Sequence, residues 1–239
     1  MKKNNTREGF EDIASQIIYE DNHLIAVNKF AGQLVQPDDE FSEYSLEDAI
    51  KEYIRVKYKK PGEAFLGVIH RLDRPVSGLC IFARTSKALE RMNKLFSSRE
   101  VEKVYRAVVH GKPTKLDDKL VNWLIKDSSK NITKAYNNDK HGGARAELDY
   151  HTIRHANSYS LLEVKPKTGR PHQIRVQLSK IGHPIVGDLK YGSDKPNPDR
   201  SICLHAYSLS FVHPVKKETL TLEAPLGEDH LIELLMDRH

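Results

Sequence analysis

The sequence predicts an α+β fold, a mixed, mainly antiparallel sheet flanked by helices. Three observations carry this expectation. Apolar runs of strand length and amphipathic stretches of helical period follow one another irregularly, without the strict alternation of a parallel α/β protein. The first two strand runs are separated only by a turn, which suits an antiparallel pair. No internal repeat and no convincing linker divides the 239 residues, so one compact domain of one or two lobes is expected.

The elements follow in order. Residues 1–15 are polar and read as a flexible N-terminal extension, leaving 16–239 as the folded domain. Ile17–Glu20 and Leu24–Val27 flank Asp21-Asn22 and read as two strands around a turn. Ser45 and Asp48 form a capping-box pattern before Leu46, Ala49, Ile50, Tyr53 and Ile54, a helical repeat that should stop before Pro61-Gly62. Phe65–Ile69 and Leu79–Ala83 are strands around a highly charged loop. Thr85 or Ser86 opens a second helix on Leu89, Met92, Leu95 and Phe96. Lys103–Gly111 reads as a strand with Tyr105, Ala107 and Val109 on one face. Lys126–Gly143, rich in Lys, Asn, Ser and Gly, reads as a long exposed loop. Leu161–Lys165 is a strand. Pro171 then opens a helix whose buried stripe is Ile174, Leu178 and Ile181, ended by Gly182. Leu204–Val212 and Thr219–Leu222 are final strands, before a short helix around Leu231.

Composition excludes several classes. Two cysteines, Cys80 and Cys203, rule out a disulfide framework and favour a reducing compartment, with the cytoplasm as default. No run approaches the roughly 18 apolar residues of a membrane helix. The basic start lacks the apolar stretch of a secretory signal. A net charge of +5 and a pI of about 9.0 admit a polyanionic partner without requiring one. Neither cysteine has zinc-cluster spacing, His151 and His155 lack the glutamate of a helical zinc motif, and no phosphate loop or serine elbow occurs.

Two segments concentrate chemistry. In His70-Arg-Leu-Asp-Arg-Pro-Val-Ser-Gly78 one carboxylate, Asp73, sits between Arg71 and Arg74. A guanidinium within about 4–6 Å would hold it ionised, as a nucleophile or an electrostatic stabiliser. The same spacing also fits a solvated ion-pair cluster of little consequence. In Thr168-Gly-Arg-Pro-His-Gln-Ile-Arg175, a helix begun at Pro171 places His172 and Arg175 on one face. A cation in the first turn opposes the helix dipole, so Arg175 needs a carboxylate partner from elsewhere, unless it is merely exposed. By periodicity alone Tyr105 is an ordinary strand aromatic.

Taken together, the segments resemble the RluA-type pseudouridine synthases from about Ile17 to about Pro214. The family's opening motif appears as Asn28-Lys-Phe-Ala-Gly32, its central one as His70–Gly78, its Lys-x-Tyr strand as Lys103-Val-Tyr105, and its basic motif as Thr168–Arg175. Gly182-His-Pro-Ile-Val-Gly-Asp-Leu-Lys-Tyr-Gly192 and Leu204-His-Ala continue the pattern in order. The resemblance implies isomerisation of uridine to pseudouridine within ribosomal or transfer RNA, without metal or cofactor. It also implies a catalytic domain with a central cleft. Asp73 aligns with the essential aspartate, Tyr105 with the active-site tyrosine, Arg175 with the aspartate's basic partner, and Arg71 with the arginine that fills the gap left by a flipped nucleotide. Lys29, Arg74, Arg170 and His172, inside the same motifs, are expected to face RNA. Phe30 replaces the usual proline, Val76 a frequent threonine and Gln177 a common histidine. The region before Ile17 is too short for the small S4 RNA-binding domain of some relatives, so recognition is expected to rest on the catalytic domain, Lys126–Lys140 included, acting as a monomer. A non-catalytic RNA-binding protein and a metal-dependent RNA hydrolase are the competing readings. Retention of Asp73 and Tyr105 speaks against the first, and the absence of a carboxylate cluster against the second.

Overall fold

The computed structural model describes residues 12–37, 43–139 and 141–226. These divide into two compact units, one formed by the chain up to Val101 together with Ser208–Pro225, the other by Glu102–Tyr207. The strands form a mixed, mainly antiparallel sheet, and three α-helices accompany them among the described residues, the α+β class expected.

In the first unit the strand order is β1 (Ile17–Glu20), β2 (Leu24–Lys29), β4 (Ser77–Ala83) and β10 (Leu204–Val212). β11 (Thr219–Glu223) pairs with the Ser208–Val212 end of β10, and the two-residue β3 (Gly67–Val68) pairs with β4. β2 and β4 are antiparallel, with Ile25 opposite Phe82 and Ala26 opposite Ile81. Successive side chains leave a strand on opposite faces. Ile25, Val27, Cys80 and Phe82 accordingly enter one core with α1 (Leu46–Lys57), while Leu24, Ala26, Leu79 and Ile81 enter another with α2 (Ser86–Ser97). Helices on both faces explain why these strands are unbroken apolar runs.

Both helix starts follow from capping. The Ser45 Oγ accepts from the Asp48 N–H at 3.3 Å, and the Asp48 carboxylate accepts from the Ser45 N–H at 3.0 Å. Acidic Glu47 and Asp48 in the first turn and basic Arg55 and Lys57 in the last suit the helix dipole. Thr85 caps α2 by accepting from the Ala88 N–H at 3.2 Å.

In the second unit the order is β10, β5 (Glu102–His110), β9 (Tyr159–Pro166), β8 (Ala144–Ala156), β6 (Asp117–Asp127) and β7 (Ile132–Tyr136). α3 (Gln173–Lys180) brings Val176 against Leu124, Ala146 and Tyr191.

Several expectations are corrected. Lys126–Gly143 is not a long loop: β6 and β7 form a hairpin in which Trp123 faces Tyr136 and Asp127 faces Ile132. Its turn is built by the Asp127 carboxylate, which accepts from the Ser129 and Lys130 N–H groups, and by Asn131 at φ +47°. Ile13–Gln16, which begins inside the expected extension, is a 3-10 helix that buries Ile13 and Gln16. Phe65 is exposed and lies outside the two-residue strand that replaces Phe65–Ile69. Ile181 follows the last turn of α3, 37% exposed, and is no part of a buried stripe. The helix expected around Leu231 lies outside the described residues.

Candidate active site

In the first unit the segment carrying Arg71 and Asp73 is held from below. Leu72 and Val76 are buried on either side of a four-residue turn, closed by the Val76 N–H donating to the Asp73 carbonyl at 3.0 Å. The Arg74 carbonyl accepts from the Gly32 N–H at 2.7 Å, which joins this turn to the loop after β2. Lys29, at the end of β2, lies beneath both. Its ammonium donates to the carbonyls of Phe30 (3.0 Å), Gln33 (2.9 Å) and Arg74 (3.2 Å), and the residue is wholly buried. Burial pushes its pKa down to about 7, against the favourable charges of Cys80 and Asp73.

Lys29 was expected to face RNA and instead points inward. Its charge is spent on backbone carbonyls that converge there. Arg74 is exposed, yet its Nε donates to the Gly32 carbonyl at 3.2 Å and its Nη1 lies 3.2 Å from Glu43. Arg71 is exposed and makes no hydrogen bond or ion pair among the described residues. Asp73 is partly buried beside Lys29.

In the second unit Tyr105 sits on β5 opposite Val164 of β9, partly buried. The following motif differs from its expected form. The helix starts at Gln173, and His172 has φ +54°, in the left-handed region, so His172 and Arg175 do not share a helical face. The cause is Gln173. Its Oε1 accepts from the Thr168 hydroxyl at 2.7 Å and the Arg170 N–H at 3.1 Å, while its Nε2 donates to the Glu147 carbonyl at 3.0 Å. Those three bonds hold Thr168–His172 as a loop. Arg170 stands exposed on it, with its Nε 3.3 Å from the Arg145 carbonyl.

Arg175 is buried and makes a bidentate pair with Asp188: Nε to Oδ2 at 2.7 Å and Nη2 to Oδ1 at 2.9 Å. Its guanidinium lies over the Tyr191 ring, 5.0 Å from the centroid. The Tyr191 hydroxyl accepts from the Thr133 N–H at 2.9 Å and bonds the His172 Nδ1 at 2.7 Å. Asp188 follows Gly187, where φ is +86° and a Cβ would lie 2.8 Å from Asn197 and the Ser201 carbonyl. Only glycine fits there. The carboxylate required by Arg175 thus exists, and Asp188 supplies it. Asp188 and Tyr191 stood inside the quoted Gly182–Gly192 motif, but no local pattern marked them as partners of Arg175.

Chemically, the first unit presents a partly exposed carboxylate, Asp73, two residues from Arg71, an exposed guanidinium without a partner among the described residues. The second presents a buried guanidinium oriented by a carboxylate and an aromatic ring. No group of three His, Cys, Asp or Glu side chains stands at metal-holding distance among the described residues. No helix among them is long and apolar enough to cross a membrane.

Residues 23–180, about two thirds of the chain, match the family model described as RNA pseudouridylate synthase. An uncharacterized RNA pseudouridine synthase of Chlorobaculum parvum is 35% identical, over 95% of this chain and 75% of its own. The ribosomal large subunit pseudouridine synthase D of Zymomonas mobilis is 32% identical over 95% and 74%. The tRNA pseudouridine synthase C of Vibrio parahaemolyticus is 31% identical over 89% and 91%. In structure, the chain superposes on human RNA pseudouridylate synthase domain containing 4 with a TM-score of 0.77, at 21% identity over 95% of this chain and 94% of the other, a likeness of fold. The motifs in order, the family match and the relatives agree: this chain belongs to the RluA family of RNA pseudouridine synthases, RNA-modifying isomerases.

Proposed function

We propose that this enzyme isomerises uridines in structured ribosomal or transfer RNA, with Asp73 as the reacting group. The observation that carries the assignment is the placement of Asp73 on a turn held by Lys29 and flanked by Arg71, an exposed guanidinium with no partner among the described residues. The named relatives act on large-subunit ribosomal RNA and on tRNA, and support that choice of substrate class.

A stacked uridine hides its glycosidic bond, so the nucleotide must leave the stack at a cost of a few kcal/mol. Arg71 fills the gap and holds the extruded state. The N1–C1′ bond then breaks and a C5–C1′ bond forms. An ionised Asp73 serves any of three openings: attack at C1′, addition at C6, or removal of the C2′ proton. After the uracil turns, C5 loses its proton, which Tyr105, stacked on the ring, relays to solvent, while N1 gains one, so the isomerisation leaves the proton count unchanged. Arg175, held by Asp188 through Nε and Nη2, is the counter-charge of Asp73 in this reading. The enzyme works as a monomer in the cytoplasm, and its turnover survives EDTA.

The test is Asp73→Asn. Turnover, read as pseudouridine in unmodified rRNA and tRNA transcripts, should vanish. RNA affinity should stay within about tenfold, since phosphate contacts dominate binding. Appreciable pseudouridine formation by the purified variant would overturn the assignment.

A further inference from the structure

Away from Asp73, the second unit has an open groove of about 460 Å³ between β7 and the far end of α3. Val176 and Tyr191 belong to its apolar lining, and Lys134, Lys180 and Lys190 are its charged residues, each exposed, with no carboxylate among the lining side chains. Lys190 is held in place by donating to the Asn131 carbonyl of the hairpin turn at 3.0 Å. Tyr136 completes the lining and packs on His141, ring centroids 4.3 Å apart.

This is a chemistry for phosphodiesters. Three ammonium groups around an open groove suit a polyanion that passes through, and an aromatic at the edge offers a face on which a base can stack. The volume lies in the range of small-ligand sites and is adequate for one nucleotide. The groove also touches the reactive machinery: Tyr191 is the same ring that lies over Arg175 and bonds His172. We propose that the groove docks the backbone of the substrate RNA outside the flipped uridine, with Lys134, Lys180 and Lys190 on phosphates and Tyr136 against a base. The inference rests on the function proposed above and adds where the rest of the RNA lies. Lys180 and Lys190 stand outside the polar Lys126–Lys140 stretch that composition singles out; the hairpin brings that stretch to them.

The experiment compares wild type with Lys134→Ala/Lys180→Ala/Lys190→Ala and with a control carrying Lys60→Ala/Lys87→Ala/Lys94→Ala, exposed lysines of the first unit. Affinity for unmodified transcripts of large-subunit ribosomal RNA and of pooled tRNA is measured across a salt series. Single-turnover pseudouridine formation is measured at saturating RNA. Each lost phosphate contact lowers the salt slope by about one, so the groove variant should lose two to three from its slope and at least about tenfold in affinity near 0.1 M salt. Its saturating rate should stay within about threefold of wild type, and the control should keep most of the slope. Tyr136→Ala should weaken binding by about tenfold with the slope unchanged, as loss of stacking does. A groove variant that matches the control shows only a net-charge effect and overturns the proposal. So does one whose saturating rate collapses at unchanged affinity. Wild-type turnover judges the function reading separately. Slope loss in the groove variant alongside a wild type that makes no pseudouridine would sink that reading and leave the groove an RNA site.

Discussion

Lys29→Met replaces the buried ammonium beneath the Asp73 turn by an apolar chain of similar reach, and two large terms then oppose each other. Three backbone carbonyls lose this donor, and any of them left with no other costs about 1–3 kcal/mol, although the Arg74 carbonyl keeps the Gly32 N–H and the Phe30 carbonyl the Gln33 N–H. Against this, the lysine is costly to bury. Its pKa falls from 10.5 to about 7, which at about 1.36 kcal/mol per unit favours the unfolded, fully charged chain by roughly 5 kcal/mol below about pH 7 relative to a neutral side chain. The net change at neutral pH is a small difference of the two and diagnoses nothing.

Its pH dependence does. A folded pKa below the unfolded one means that, between about pH 7 and 10.5, the unfolded chain holds one proton more than the folded chain. Stability from this group therefore rises with pH through that window and is flat below it. Methionine has no such term, and all other titrations are shared by the two proteins. The stability of wild type relative to Lys29→Met should thus grow by about 2 kcal/mol from pH 7 to pH 9. Urea unfolding of both proteins at pH 6, 7, 8 and 9 measures it, with equal m-values as the check on two-state behaviour. The two stabilities should run parallel from pH 6 to just below 7 and then diverge. Parallel curves up to pH 9 would refute the reasoning, because the lysine would then be fully charged in the fold and the carbonyl cradle would outweigh its burial.

Asp188→Asn keeps the shape of the Arg175 partner and removes its charge; with both side chains buried the loss should be about 3–5 kcal/mol in urea unfolding, and a cost under about 1 kcal/mol would show that the pair is not what holds Arg175. Tyr105→Phe keeps a ring that can stack and removes the oxygen near C5, so RNA binding should survive and turnover fail; an active variant would show that the tyrosine only packs. Arg71→Ala should lose far more single-turnover rate on a uridine in a stable stem than on one beside a mismatch, because a wedge stabilises only the extruded state. An equal loss on both RNAs would make Arg71 a general phosphate contact.

Much of the fold was readable wherever local physics decides. Ser45 with Asp48, and Thr85 before Ala88, marked their helices because a cap satisfies N–H groups within a few residues of itself. The apolar runs of β2 and β4 read as strands because both faces are covered. The β6–β7 hairpin was unreadable because its pairing is long-range: β6 is fixed along its length by β8, and the Thr133 N–H finds its acceptor 58 residues away on Tyr191. The start of α3 was misread for a related reason. Pro171 is a fair first-turn signal, but Gln173 binds Thr168, Arg170 and Glu147 and outweighs it.

The site divides along the same line. The dipole argument left Arg175 either exposed or paired with a carboxylate from elsewhere, and the structure pairs it with Asp188, presented after the positive-φ Gly187. Lys29 and Gln173 stand inside motifs with the proposed reacting groups, and each turns its polar end onto backbone atoms of the loop that presents them. Composition cannot separate such a residue from one that meets substrate, since both are polar and both lie in the motif. Burial can. A wholly buried ammonium serving three carbonyls has no N–H left to offer RNA, whereas the exposed Arg71 has none of its donors taken by another described residue. The division of labour in the Asp73 turn is therefore between a lysine that holds the backbone under the carboxylate and an exposed arginine left available for the proposed contact with RNA.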